Sequence, residues 1–330
     1  MTPYFHTTTL VAVDDDPVFL ESLAFTLARD IRCEVYDSPA DALEAVRGRA
    51  GLLARARSLL APLSPEDMQD LPGDTEDRAV RLRMSRILAL AGDAERHRQI
   101  STVLVDYDMP GMDGLAFCRA LGDLPVLKIL LTGKADAGLA VAAFNEGIID
   151  RFVLKQDPDV RQRLRAEVRD GVRRYFRRTT RFMRDILGAG GCFLHDPDFA
   201  EHFHGLAARE GIAEYYLLKD PPGLLCLRAD RSGFVLLVQD RDQVEAHRET
   251  ARSCGAAPAL VAAMGEEGVQ PWFAPESRDD RHAWDLHPAV RVGGGGRWAC
   301  SMLDIPEGML PREASGLDGG ARFVRHLSRH

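Results

Sequence analysis

The apolar residues of this chain fall into short runs separated by helical stripes. Leu10–Val13, Arg32–Tyr36, Thr102–Val105, Val126–Leu131 and Arg151–Leu154 are each of strand length. Polar side chains end most of them: Asp14, Asp106, Thr132 and Lys155. Behind the first run, Asp16 is placed to cap a helix that Pro17 opens and whose stripe is Phe19, Leu20, Leu23, Ala24 and Leu27. Ser38-Pro39 opens a second helix after the second run. Apolar strands alternating with helices predict an α/β fold, a doubly wound five-stranded parallel sheet with helices on both faces.

In such a sheet the chemistry gathers at the carboxyl ends of the strands. Here those ends carry Asp14 and Asp15, Asp106, Thr132 and Lys155. Acids brought that close repel one another and call for a cation, and a few oxygen ligands around a partly hydrated ion suit Mg²⁺. One carboxylate held beside the metal can attack phosphorus while the metal and the lysine neutralise the oxygens in transit. The pattern predicts a phospho-accepting aspartate.

Four motifs stand in order within residues 8–47 and 101–175: VAVDDDP, VDYDMPGMDG, LLTG and DRFVLK. Together they resemble the receiver domain of two-component response regulators. The resemblance implies a flavodoxin-like fold with Asp106 as the phosphorylated residue. It implies a Mg²⁺ site in which Asp15 and Asp106 ligate directly, Asp14 acts largely through water and Asp108 offers its carbonyl. Lys155 would pair with the phosphoryl group, Thr132 would swing towards it, and Phe152 would be the coupled aromatic switch. Autodephosphorylation, a homodimer, and a sensor histidine kinase or phosphotransfer protein as partner are implied with them. The chain departs from the family at Gln156, where proline is usual. Asp108 and Lys134 stand two places beyond key residues, where the family tunes phosphoryl lifetime.

Ninety-one positions separate Asp15 from Asp106, far more than a receiver uses, and the excess lies in residues 48–99. Leu52, Leu53, Ala56, Leu59 and Leu60 form one helical stripe before Pro62; Val80, Met84, Ile87, Leu88 and Ala91 form another. With the polar link LSPEDMQDLPGD between them, they predict an inserted helical hairpin. Either it packs on its own receiver or it serves as a dimerisation or kinase-docking arm.

From Asp157-Pro158 a further helix is predicted, with Leu164, Val168, Val172, Tyr175, Thr179, Phe182 and Ile186 as its apolar positions. From Val168 onward the spacing alternates between four and three, so a connector rod over residues 159–190 would pair with a second copy, and Gly171 is its weak point. Residues 161–184 hold ten arginines against Glu167 and Asp170, a local +8 in a chain of net charge −8. The remainder therefore carries −16 (−8 minus +8). With so many intramolecular partners, a solvated face is favoured over a nucleic-acid partner. Gly188–Gly191 ends the rod and marks the domain boundary.

In the second half a helix from Asp196-Pro197 precedes three strand-like runs, 213–218, 224–228 and 234–238, whose links are turn chemistry. An antiparallel meander is expected, then helices between Gln243 and Met264, a flexible Gly293–Gly296, a last strand at Trp298–Ile305 and a loose tail after Pro311. The order is α+β and is similar to the PD-(D/E)xK nuclease-like core. That chemistry needs an acid and an acid-x-lysine on the second and third strands, where only the terminal acids Asp230 and Asp240 occur. The chain has no helix-turn-helix signature, Walker loop, GGDEF or EAL string. A long insertion followed by an output domain of this kind is similar in layout to the response regulators of α-hydroxyketone quorum-sensing systems.

The 330 residues are 45% hydrophobic and 28% charged, a balance that excludes wholesale disorder. No apolar run approaches the ~18 residues of a membrane span, so no membrane partner is expected. Six cysteines, none in CxxC spacing, fit a reducing cytoplasm better than a disulfide scaffold. The expectation is a cytoplasmic response regulator with a receiver over 1–158, a connector over 159–190 and an output domain over 191–330. The competing readings are a phosphorylation-gated hydrolase or nuclease-like enzyme in the second half and a DNA-binding transcriptional regulator.

Overall fold

The structure is a computed structural model that describes residues 1–28, 31–49, 59–62, 80–133, 137–188, 191–264, 268–272, 285–306, 308–310 and 323–326. They divide into two compact units, and neither is one continuous stretch of chain. The first comprises His6–Arg81, Asp93–Arg181 and Glu313–His330; the second comprises Met1–Phe5, Leu82–Gly92 and Phe182–Arg312.

The chain begins in the second unit with β1 (Tyr4–Phe5) and then builds the first: β2 (Thr9–Val13), α1 (Pro17–Leu27), β3 (Arg32–Tyr36) and α2 (Pro39–Arg49). Asp16 caps α1 as the sequence predicts, its carboxylate accepting from the N–H groups of Val18 and Phe19 at 2.9 and 3.2 Å. The next part corrects the inserted hairpin. Leu60–Pro62 (β4) and Val80–Leu82 (β5) pair as a two-stranded sheet, and the only described α-helix of the insertion is α3 (Met84–Leu90). Val80-Arg81-Leu82 alternates apolar and polar, so its period of two reads as well as a helical period, and strand pairing decides between them. The helix belongs to the second unit, where Ile87 and Ala91 are buried and α3 lies against a strand described below. Leu52, Leu53, Ala56 and the link over 63–79 fall outside the described residues.

The first unit continues with β6 (Ile100–Asp106), α4 (Gly114–Ala120), β7 (Leu127–Thr132), α5 (Ala137–Asn145), β8 (Arg151–Leu154) and α6 (Val160–Thr179). A second correction concerns the connector. Helix α6 ends at Thr180, whose hydroxyl donates to the Phe176 carbonyl at 2.6 Å, and α7 (Arg181–Gly188) starts afresh. Leu164, Val168, Val172 and Tyr175, the expected seam for a second copy, are buried against β6, β7, β8 and α1. Gly171 is a close-contact position rather than a weak point. A Cβ there would lie 2.6 Å from Leu127 Cδ2 and 2.8 Å from Thr102 Oγ1, so only glycine lets α6 approach the sheet.

In the second unit, α8 (Pro197–Glu210) is capped by Asp196 and followed by the expected meander, β9 (Ile212–Leu218), β10 (Gly223–Arg228) and β11 (Gly233–Asp240). Then come α9 (Arg241–Ser253), α10 (Pro258–Ala263), β12 (Val269–Trp272), β13 (Asp285–Pro288), β14 (Val290–Val292) and β15 (Trp298–Leu303). The sheet order is β1-β9-β10-β11-β15-β14, antiparallel throughout, and α3 packs on β9. Gly293–Gly296 is the turn of the β14–β15 hairpin, which brings Val292 opposite Trp298.

The tail supplies a third correction. Residues Phe323–His326 form β16, which returns to the first unit and adds a sixth strand beside β3. That sheet, all parallel, runs β16-β3-β2-β6-β7-β8. The tail strand is fixed by three contacts. His326 stacks on Tyr36 with ring centroids 4.4 Å apart, Arg325 pairs with Glu21 at 2.9 Å, and the His326 ring lies 3.7 Å from the buried Glu34 carboxylate. No helix among the described residues is long and apolar enough to cross a membrane.

Candidate phosphoacceptor site

Strands β2 and β6 are neighbours in the sheet although β3 follows β2 in the chain, so the strand order reverses between them. A crevice opens at such a point beyond the carboxyl ends of the strands. Asp14 and Asp15 leave β2 there and Asp106 ends β6. One carboxylate oxygen from each of the three lies within 4.8 Å of the others. Asp14 is fully buried and Asp106 nearly so, while Asp15 faces solvent.

Lys155, one residue beyond β8, bridges the two buried acids. Its Nζ lies 2.8 Å from Asp14 Oδ2 and 2.9 Å from Asp106 Oδ1. The ammonium also sits over the ring of Phe19, 4.8 Å from the centroid. The backbone holds it there, because the Lys155 N–H donates to the Thr132 carbonyl at 3.0 Å and ties the end of β8 to the end of β7. Burial pushes the carboxyls of Asp14 and Asp106 above their ordinary range, and the contacts with Lys155 offset this only in part. Burial alone would lower the Lys155 ammonium, but the two carboxylates outweigh it and raise it.

The loop after β6 is shaped by one glycine. The Gly114 N–H donates to the Tyr107 carbonyl at 2.9 Å, and a Cβ on Gly114 would come within 2.2 Å of the Asp106 carbonyl oxygen. Any side chain at 114 would displace the acceptor strand's end. Asp113 caps the helix that follows, accepting from the Ala116 N–H at 2.6 Å.

Asp14, Asp15, Asp106 and Lys155 are thus brought together. Thr132 is buried at the end of β7, but its hydroxyl donates to the Gly133 carbonyl at 3.2 Å rather than to the carboxylate. Phe152 is half-buried on β8, packed against the core beneath the sheet's ends and paired in register with Leu130. Asp108 exposes its side chain, and Lys134 lies outside the described residues. Two contributors are not visible as motifs: the ring of Phe19 and the N–H of Asp16, which donates to Asp14 Oδ1 at 2.9 Å. Phe19 is legible only as an apolar position of α1, five residues after Asp14.

The donor set suits a hard divalent cation. It is all oxygen and partly exposed to water through Asp15, and the buried Asp14 Oδ2 is met by the Lys155 ammonium at 2.8 Å. The residues present therefore fit Mg²⁺.

A flavodoxin-like sheet with this acidic pocket at its switch point has the architecture of the receiver domain of two-component response regulators. Along most of its length the chain is also similar to the response regulator LqsR of Legionella pneumophila, with 29% identity and a TM-score of 0.71 over 93% of this chain and 90% of that one. A 59-residue stretch is 42% identical to the cyclic di-GMP phosphodiesterase response regulator RpfG of Xanthomonas campestris pv. campestris (strain 8004). The match takes in 17% of this chain and only 16% of RpfG. No protein-family model matches the chain.

Proposed function

We propose that the chain is a phosphorylation-controlled response regulator in which Asp106 accepts a phosphoryl group from a sensor histidine kinase or a phosphotransfer protein. The observation that carries this reading is the convergence of three carboxylates within 4.8 Å, with Lys155 at 2.9 Å from the one that ends β6. An Asp106 oxygen attacks phosphorus, the bond from phosphorus to the donor imidazole nitrogen breaks, and its electron pair leaves with that nitrogen. Mg²⁺ held by Asp15, Asp106 and the Asp108 carbonyl, with Asp14 acting through water, would neutralise the phosphoryl oxygens. Lys155 then exchanges its contact with the carboxylate for one with the phosphoryl group. The Thr132 hydroxyl leaves the Gly133 carbonyl for a phosphoryl oxygen, and Phe152 repacks into the space this opens.

Leu139, Val141 and Phe144 of α5 are exposed apolar side chains, which supports a homodimer formed through that helix. Val18 and Phe25, each about three-quarters exposed on α1, offer a separate apolar surface for the phosphodonor. Residues Asp230 and Asp240 do not support a nuclease: Asp230 accepts from the N–H and hydroxyl of Ser232, and Asp240 caps α9. A layout similar to that of the α-hydroxyketone quorum-sensing response regulators supports a role in a cytoplasmic quorum-sensing circuit.

The test is incubation of the chain with acetyl phosphate and MgCl₂. Acid-labile phosphate is expected on the wild type and not on Asp106→Asn, which is nearly isosteric and should keep the wild-type urea midpoint. Equal labelling of the two would refute the assignment of Asp106.

A further inference from the structure

The arginines of α6 divide into two groups once their partners are known. Towards the start of the helix, Arg163 pairs with Asp157 at 2.9 Å and Arg161 donates to the Ser22 hydroxyl at 3.2 Å, while Glu167 is taken up by Arg151 of β8 at 3.2 Å. Asp170 holds Arg174 at 2.7 Å. From Gly171 to Arg184 no acidic residue occurs. Arg173, Arg177, Arg178 and Arg181 are exposed there, and among the described residues no carboxylate bonds to any of them. The solvated-face reading rested on acids elsewhere in the chain neutralising this segment, and these four are not so neutralised.

Their placement follows from what α6 buries. Val168, Val172, Tyr175 and Phe176 face the sheet, so Arg173 and Arg177 stand on the opposite side, one turn and about 6 Å apart along the axis. Arg178 flanks them, and Arg181 comes four residues after Arg177, across the break at Thr180. The negative end of the helix dipole accounts for cations in the last turn at Arg177 and Arg178, but not for the other two.

The chemistry of the surface selects its partner. Guanidinium groups match phosphate oxygens two at a time. Tyr175 and Phe176, the aromatic residues of α6, are buried and cannot stack on bases, and Phe182 of α7 is half-buried. No large apolar side chain of α6 is exposed to enter a lipid surface. We propose that Arg173, Arg177, Arg178 and Arg181 bind the phosphate backbone of duplex nucleic acid, with no base readout of their own. This goes beyond the phosphoacceptor reading and stands without it.

The experiment is fluorescence anisotropy of the full chain with two labelled DNA duplexes of unrelated sequence, between about 50 and about 200 mM salt. Both duplexes should bind equally, with log K falling against log salt at a slope of about −3 to −4, near −0.9 for each of four phosphates. The quadruple variant R173Q/R177Q/R178Q/R181Q should bind at least tenfold more weakly and with a flatter slope. The corresponding lysine variant, which keeps the charge, should retain the slope. A urea midpoint unchanged from wild type shows that the glutamine variant is folded. The proposal is overturned if the wild type does not bind, if the glutamine variant binds as the wild type does, or if a phosphatidylglycerol–phosphatidylcholine vesicle is bound in preference to DNA.

Discussion

Replacing Lys155 by methionine keeps much of the aliphatic stem and removes the charge that lies between two buried acids and over the Phe19 ring. At an effective dielectric near 20, a unit ion pair at 2.8 or 2.9 Å is worth about 6 kcal/mol before desolvation. Two carboxylates within 4.8 Å repel by about 3.5 kcal/mol or more. The substitution removes both attractions and leaves the repulsion. One carboxyl then takes up a proton, which limits the net loss to about 3–5 kcal/mol, as for other broken buried pairs. Hydrogen exchange in β2 and β6 reads this directly, because those strands carry the acids. In EDTA the K155M variant should lose about 3 kcal/mol of protection, at the lower end of that range. Added MgCl₂ should restore much of it and stabilise the variant more than the wild type, since a cation replaces the missing charge and binds only the folded site. Equal protection of the two proteins in EDTA would refute the electrostatic account, and no response of either to Mg²⁺ would refute the metal site.

Gly171→Ala should shift the urea midpoint downward. Helix propensity favours alanine by about 1 kcal/mol, but the new methyl meets Leu127 and Thr102 inside 3 Å, and overpacking of that kind costs about 1–3 kcal/mol. A midpoint that rises would show that α6 yields freely. Glu34 gives a pH dependence. Although burial opposes ionisation, Arg49 at 2.7 Å, then Arg32 and His326, hold its carboxyl below the ordinary 4.5. Its contribution to stability is therefore complete above pH 4.5 and is lost as the pH falls through the lower folded value. Glu34→Gln should flatten the urea midpoint across that window, and an unchanged pH profile would count against the ion cluster. Deleting residues 321–330 should uncover the β3 edge and increase self-association, measured by light scattering; a monodisperse truncated protein would show that the tail strand does not protect that edge.

The acidic pocket was legible from the order of residues because each of its parts is encoded locally. An apolar run fixes a strand, and the polar residue that ends it falls at the same rim of a parallel sheet whatever lies between. Asp14, Asp15, Asp106, Thr132 and Lys155 needed only that rule, and the cap of α1 needed only Asp16 and Pro17. The meander of β9, β10 and β11 was legible for a similar reason, since its links are short and its turn residues adjoin the strands they connect.

What the tertiary structure alone decided concerns segments whose pattern admits two answers or whose partner is remote in the chain. Val80–Leu82 reads as helix or strand until β4 pairs with it. The heptad spacing on α6 reads as a seam for a second copy until the sheet of the same unit buries it, and Gly171 reads as a flaw until Leu127 and Thr102 occupy the space beside it. The tail carries no long apolar run, yet Tyr36, Glu21 and Glu34, almost three hundred residues earlier, hold it as a strand. Hydrogen bonding and burial reward such pairings only once the sheet exists, so short-range periodicity holds no record of them.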